Sequence, residues 1–515
     1  MRISMNRNAF CLAGCLGLLL GASAVSAQAT IGGEWRDDVA AYARRLVDAG
    51  LTPGMGVAVS VGDWVVYSGG FGVTDVGSGR PVDDGTVFYI ASTTKALTAT
   101  AVVLEAAKGR MDLDAPIDRY IPGLRFKAPM DAHRMTVKQF LSMTDGLEDG
   151  GPVVLRTAYT GDFTLPLLIR LLADYGPDEG GTAFDYGNLP YNILGMALDP
   201  KSEEGWKDVV RRAVLEPLGM TGTSARASTI APERIALPHV LAPGPGWRRT
   251  PLGKQDANQH AAGGHFATAR DLARFVAAHA SGGVVEGRRV FPREAIELTH
   301  EKHADQDRNY GPIHRFGWGY GWDLGTWQGR TLVHRFGGFT GYHSHASFEP
   351  ESQVGVVVLV NGDGPASAAA GLLATYTYDR LLGREGREAE YDRQLAELKA
   401  RVVEGEQGIA KHLAERAARL APLSHPLAGF AGTYENPKLG TMTWRVVAGG
   451  LEVRMGVATS RAEVYSAEKN QLRVELFGSG GVAAFDFPAS GGRAAAVTMD
   501  GERFERRDEA SRPTR

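Results

Sequence analysis

Residues 88–105 constrain the fold more than any other stretch of the chain. Phe88-Tyr89-Ile90 is a short aromatic and β-branched run leading to Ser92. Thr93 and Thr94 follow, and then Ala, Leu and Val dominate as far as Glu105. That pattern predicts a buried helix, with Ser, Thr and Thr as the residue types expected at its N-terminus. Lys95 lies three residues after Ser92, so the two side chains share one helical face about one turn apart. A lysine buried there needs partners, because an unpaired ammonium in an apolar core is costly. A hydroxyl at a helix start beside a desolvated amine is a candidate activated nucleophile. The backbone N–H groups at such a start can hold a developing oxyanion. Spacing alone does not select this serine, because Ser466-Ala467-Glu468-Lys469 repeats it. The second copy sits among short alternating segments and leads into no helix, so it reads as a solvated turn.

The rest of the chain supplies a frame for that helix. At 515 residues it is long enough for two or three domains. Residues 34–49 carry helical spacing. Val57-Ala58-Val59-Ser60-Val61 and Trp64-Val65-Val66-Tyr67 flank Gly62-Asp63 and read as a hairpin. A second strand pair is predicted at 331–333 and 355–360, with a mostly helical middle between the pairs. Helical pieces within it fall at 135–141, 206–215 and 269–276, and a polar connection near 305–311 reads as mobile. A sheet assembled from both ends of a domain, with a helical insertion, is an α+β arrangement. Residues 366–382 read as a helix packing back on the sheet, and 384–421 as a helical linker with a solvated face. From 422 to 508, short strands separated by Gly pairs indicate a small antiparallel barrel or sandwich, with a β-barrel the expectation.

The N-terminus reads as an export signal. Arg2 and Arg7 are followed by an apolar run over 10–25, and Val25-Ser26-Ala27 offers small residues for cleavage after Ala27. Leu12-Ala13-Gly14-Cys15 is a rival lipoprotein signal, but it comes early and the apolar run continues beyond it. A periplasmic or secreted protein is the expectation. The two cysteines, Cys11 and Cys15, both lie in this segment, so disulfides and thiolate catalysis are excluded from residues 28–515. No later stretch approaches the ~20 apolar residues that span a bilayer. The formal charge of −3 gives no reason to expect a nucleic-acid partner.

A serine–lysine pair needs a second proton carrier and an oxyanion hole. Tyr186-Gly187-Asn188 is the candidate for the first. Glycine permits a tight loop that aims both neighbours one way. A phenol near cations can take the serine proton, and the Asn188 amide can both donate and accept. The segment 333–348 contains His334-Arg335-Phe336-Gly337-Gly338, where adjacent glycines allow close backbone approach by a ligand. An N–H from Gly338 could then pair with that of Ser92. His343 and His345 share a strand face, but no third metal ligand stands at a fitting spacing. There is no Gly-x-Ser-x-Gly elbow, Walker A loop or dinucleotide fingerprint. The expectation is a site without a cofactor.

With these elements in order, residues 34–382 resemble the serine β-lactamase and penicillin-binding-protein-like family, on the side of class C β-lactamases, D-aminopeptidases and esterases. Ala91-Ser92-Thr93-Thr94-Lys95, Tyr186-Gly187-Asn188, Glu216-Pro217-Leu218-Gly219-Met220, Ala262-Gly263-Gly264 and Phe336-Gly337-Gly338-Phe339-Thr340-Gly341-Tyr342 carry the likeness. Residues 425–507 resemble the lipocalin-like β domain often appended to it, opening on Gly432-Thr433-Tyr434-Glu435-Asn436. The resemblance implies a β-lactamase-like hydrolase domain at 28–383, with acyl transfer through a serine ester and hydrolysis of an amide or ester in a small-molecule or peptide substrate: a D-amino-acid peptide, a small ester or a β-lactam. In it Ser92 attacks, Lys95 and Tyr186 share the proton, and Asn188, Arg335, Gly337, Gly338 and His334 contact substrate. The third motif departs from the family pattern. Lys or His, a small residue and Gly are usual, whereas here Arg335-Phe336-Gly337 stands with His334 one residue earlier. A one-residue slip reverses the face, so only one of His334 and Arg335 can point at the site. Phe336 also replaces a hydroxyl common in β-lactamases. The alternative in a different class is a non-catalytic periplasmic binding or regulatory protein on the same fold.

Overall fold

The computed structural model describes residues 34–202, 205–244, 246–384, 386–419, 422–478 and 480–507. The export-signal expectation over 1–27 lies outside these residues. Among the described residues, no helix is long and apolar enough to cross a membrane.

The larger part is built on an eight-stranded antiparallel sheet. The hairpin of Gly54–Val61 and Trp64–Gly72 forms one edge. Gly54–Val61 pairs with Val354–Val360, and the sheet then continues through Tyr342–Glu349, Arg330–Phe339, Asp323–Trp327, Ile313–Trp318 and Ala304–Tyr310. First and late segments therefore pair side by side in one sheet, as the α+β expectation requires. Every residue of the central strand Val354–Val360 is buried, because helices cover both faces. Glu34–Asp48 and Pro365–Leu381 pack on one face, in a core that includes Leu332, Phe336 and Val358. On the other face, the core holds Val333, Ala346, Val357 and the helix Thr94–Ala107. That helix is buried from Thr94 through Glu105, so an apolar sequence with no polar stripe became an interior helix.

The segment expected to be mobile is instead the edge strand Ala304–Tyr310, paired with Ile313–Trp318. Its Asp- and Arg-rich sequence suits a strand with one edge open to solvent. The helix Glu388–Ala417 runs on from the hydrolase part and buries Tyr391, Leu395, Leu398 and Val402 against it. Beyond it, nine short strands between Gly432 and Arg506 form a second antiparallel sheet. Its two edge strands, Ala458–Arg461 and Glu463–Ser466, are consecutive in the chain. The sheet therefore curls until its edges nearly meet, a nearly closed barrel around Tyr434, Trp444, Val453 and Phe485.

Two decoys, the second Ser-x-x-Lys at Ser466 and Lys469 and a second Tyr-x-Asn at Tyr434 and Asn436, are structural parts of this barrel. The Lys469 N–H donates to Ser466 Oγ at 3.3 Å in an exposed turn. Tyr434 is buried, its hydroxyl donating to the Phe430 carbonyl and accepting from Arg506.

Candidate active site

Ser92 sits in a 3₁₀ turn, Ala91–Thr93, that runs directly into the helix Thr94–Ala107. Ala91 has φ +45°, a left-handed conformation that an L-residue adopts at a cost of about 1–2 kcal/mol. The surroundings hold it. Ser344 Oγ donates to the Ile90 carbonyl (2.8 Å) and pairs with Thr93 Oγ1 (2.9 Å), and Ile90 N–H donates to the His265 carbonyl. The Thr93 and Thr94 hydroxyls therefore do not cap the helix as expected. Thr94 Oγ1 accepts from the His265 N–H instead, tying the turn to a neighbouring strand.

Lys95 is fully buried and its ammonium meets three oxygens: Ser92 Oγ at 3.2 Å, Asn188 Oδ1 at 2.7 Å and the Ala262 carbonyl at 3.0 Å. Three acceptors match its three N–H bonds. No carboxylate touches it. Burial lowers its pKa, and the Tyr186 phenol opposes that shift.

Tyr186 and Asn188 stand on the loop before the helix Leu189–Leu198. Asn188 is the N-cap residue but spends its side chain on Lys95. The capping falls to Asp149, whose Oδ1 accepts from the Asn188 and Leu189 N–H groups at 2.9 and 2.7 Å. A Cβ on Gly187 would lie 2.6 Å from that carboxylate, so glycine is required between the two functional residues.

Tyr186 is half-buried between two cations. Lys95 Nζ lies 4.9 Å and the Arg335 guanidinium carbon 4.8 Å from its ring centroid, and Arg335 donates to its hydroxyl. Burial alone would raise the phenol. The adjacent charges of Arg335 and Lys95 outweigh it and lower the pKa.

Strand alternation decides between His334 and Arg335. Arg335 and Gly337 face the serine helix. Arg335 Nε donates to the Ser92 carbonyl (3.1 Å) and its other nitrogens reach Asp323 Oδ2 (2.7 Å) and Tyr186. His334 points to the opposite face, with Phe336, into the core of the terminal helices. There it is buried, its ring nitrogens have no partner, and burial lowers its pKa to about 3. His334 is thus not part of the serine site, contrary to the expectation that it contacts substrate. Arg335 is in the site but only 3% exposed, with each of its three nitrogens hydrogen-bonded, so it supports Tyr186 and presents little surface to a substrate carboxylate. Phe336 stacks on Tyr310 behind the sheet, so the hydroxyl it replaces is not exchanged for a ring in the site. Gly337 is where the strand meets the serine turn, since a Cβ would fall 1.9 Å from the Ile90 carbonyl. Gly338 is exposed, with only His343 Nδ1 near the position of a Cβ, at 3.7 Å.

The structure also adds residues the sequence did not reveal. Asp149 and Asp323 hold Asn188 and Arg335 from 39 and 12 positions away. Lys254 lies over Phe339 (4.1 Å), Tyr89 (5.2 Å) and Tyr159 (5.5 Å), and its ammonium donates to the Ala158 carbonyl at 2.5 Å. Burial pulls its pKa down to about 7. No local motif marks these residues, which only the fold brings to the site. His343 and His345 have separate partners, Tyr310 and Ser347.

Comparison with known proteins identifies the family. Residues 39–426 match the family model described as Beta-lactamase. Penicillin-binding protein 4 of Amycolatopsis lactamdurans is 29% identical over 318 residues, 60% of this chain and 81% of that protein. Among solved structures, the octameric penicillin-binding protein homologue from Pyrococcus abyssi superposes with a TM-score of 0.55 at 21% identity, covering 92% of this chain and 98% of its own. The D-amino acid amidase from Ochrobactrum anthropi SV3, complexed with L-phenylalanine, gives 0.56 at 20% identity, over 69% of this chain and 100% of its own. The model spans the serine turn, Tyr186, Asn188 and the Arg335 strand together, and the chain belongs to the Beta-lactamase family of serine hydrolases.

Proposed function

We propose that this protein is an exported hydrolase that forms an acyl-enzyme on Ser92 from a small ester or an amide of a D-amino acid, then releases it to water. The observation that carries this reading is Tyr186 held between Lys95 and Arg335 while Lys95 Nζ binds Ser92 Oγ. An ammonium donating to Oγ occupies a lone pair and leaves the hydroxyl proton for another acceptor. The phenolate of Tyr186, favoured by two neighbouring cations, takes that proton as Oγ attacks the carbonyl carbon. The oxyanion forms against the N–H groups of Ser92 and Gly338. Collapse expels the alcohol or amine, which receives the proton from Tyr186. Water then attacks the ester, Tyr186 accepts its proton, and the acid leaves as Ser92 Oγ is reprotonated. Asn188, already fixed by Lys95, presents its amide N–H₂ to the substrate carbonyl.

Arg335 favours substrates without a carboxylate beside the scissile bond, because Tyr186, Asp323 and the Ser92 carbonyl use its donors. A panel of p-nitrophenyl acetate, D-alanine p-nitroanilide and nitrocefin tests this. Turnover of the ester should exceed that of nitrocefin, and efficient nitrocefin hydrolysis would contradict the reading.

A further inference from the structure

His260 stands beside Lys95, and the steps assigned to Lys95, Tyr186 and Asn188 make no use of it. We infer that His260 is a specificity-determining residue, whose Nε2 accepts a hydrogen bond from a neutral N–H or O–H group of the substrate. This role presupposes the acyl-enzyme chemistry proposed for Ser92.

The segment that carries His260 runs along the first turns of the serine helix. The Ala261 carbonyl accepts from Thr98 Oγ1 at 2.7 Å, and the Ala262 carbonyl from Lys95 Nζ at 3.0 Å. A Cβ on Gly263 would lie 2.8 Å from His260 Nε2 and 3.6 Å from the carbonyl carbon of Ala91, the residue before Ser92. Glycine at 263 therefore leaves the imidazole its place against the serine turn. The helix Leu189–Leu198 holds the ring from its other side. Asn192 follows Asn188 there by four positions, so the two lie one above the other on one helix face. Asn188 grips Lys95 and Asn192 grips His260, which sets the two basic side chains next to each other.

A backbone carbonyl fixes the direction of the hydrogen bonds around the ring. The Thr157 hydroxyl commits its proton to the Val153 carbonyl at 2.8 Å, an oxygen that can only accept. Thr157 Oγ1 then accepts from the Asn192 amide nitrogen at 3.1 Å, which turns Asn192 Oδ1 toward the ring. His260 Nδ1 donates to that oxygen at 2.9 Å. A neutral imidazole with its proton on Nδ1 presents a lone pair at Nε2. His260 is only 7% exposed. Its Nε2 has no hydrogen-bond partner among the described residues, yet it is not one of the fully enclosed nitrogens, so it keeps surface open to a ligand. A polar atom this deeply placed is normally satisfied.

Charge decides what can satisfy it. Burial, followed by the positive charges of Lys254, Lys95 and Lys207, holds the imidazole well below its ordinary pKa. The ring is thus an acceptor and not a carrier of protons. Lys254 in turn lies over Phe339, the residue after Gly338. His260 is therefore set between the serine helix and the end of the strand Arg330–Phe339, where the reading above seats the acyl group. The same positive charges repel a substrate ammonium. An uncharged donor, an amide N–H or a hydroxyl, suits the lone pair.

The p-nitrophenyl esters of N-acetylglycine and of O-acetylglycolic acid differ by one N–H exchanged for oxygen, and their kinetics test the assignment. Comparing the ratio of their kcat/KM values between wild type and His260→Leu cancels their intrinsic reactivities. The ratio should fall about fivefold to tenfold in His260→Leu, the scale of one hydrogen bond. His260→Gln, whose amide oxygen can accept in place of Nε2, should restore part of it. If His260→Leu fails to fold, His260→Phe takes its place. An unchanged ratio would overturn the assignment, as would kcat and KM falling together for both esters, the signature of a ring that holds the hydrolytic water instead. Fluorophosphonate labelling of Ser92 in the same proteins reports on the acyl-enzyme chemistry separately. Labelled protein with an unchanged ratio would overturn the role of His260 alone.

Discussion

Tyr186 and Arg335 show how a residue's role depends on what its charge touches. Arg335 was readable in the sequence as the cation of the third motif, but its partners were not, since Tyr186 lies 149 positions away and Asp323 on the next strand. With its donors on Tyr186, Asp323 and Ser92, the guanidinium acts through the phenol. A base must be deprotonated to work, so activity rises as pH passes upward through its pKa. Nearby positive charge lowers that pKa. Replacing Arg335 by Gln removes one cation and raises it. We expect the acid limb of the kcat/KM profile to move up by about one pH unit, with kcat/KM lower by up to about tenfold at neutral pH. An unshifted limb would mean that Arg335 does not tune Tyr186. His334 illustrates the limit of motif reading. One position along a strand separates the serine site from the opposite core, and only pairing register decides which residue faces where.

At the scale of elements, the serine turn and the strand Arg330–Phe339 form one unit. Ala91 keeps its left-handed backbone because Ser344, on the strand Tyr342–Glu349, and His265, just before the strand Phe266–Ala267, grip Ile90. Gly337 lets the strand approach that carbonyl. Gly337→Ala must push the turn away, which we expect to cost about 1–3 kcal/mol of stability and to lower kcat/KM by about 10²-fold or more. Thermal unfolding and ester kinetics measure both; a stable, fully active variant would show that the close approach is unnecessary. The helix that carries Ser92 was legible because it is apolar on every side. The edge strand Ala304–Tyr310 was not, because its polar residues lack the alternation that betrays a half-buried strand. The cap on Leu189–Leu198 was hidden for a related reason, as Asp149 comes from a separate loop.

Across the whole molecule, the C-terminal barrel leans on the hydrolase part close to the serine site. Arg156 Nε donates to the Lys438 carbonyl at 2.7 Å and Val457 N–H to the Thr160 carbonyl at 2.8 Å. Ring contacts then run from Phe477 to Tyr159 (5.6 Å) and on to Phe339 (6.1 Å), the residue after Gly338. We expect Phe477→Ala to raise KM for p-nitrophenyl acetate about threefold to tenfold while kcat changes little, the scale of one lost ring contact. Unchanged KM would separate the barrel from substrate binding. The barrel's existence was legible from Gly-punctuated strands, and the Tyr434 and Ser466 decoys were separable by their context. Its placement was not legible, because the residues that dock it, Arg156 and Tyr159, lie in a segment with no motif of its own.

The central claim is a covalent intermediate on Ser92, and intact-protein mass spectrometry after treatment with a fluorophosphonate reads it directly. The wild type should gain the mass of one phosphonyl group, located by peptide mapping on the peptide bearing Ser92, and Ser92→Ala should gain none. An unlabelled wild type, or equal labelling of Ser92→Ala, would contradict the account.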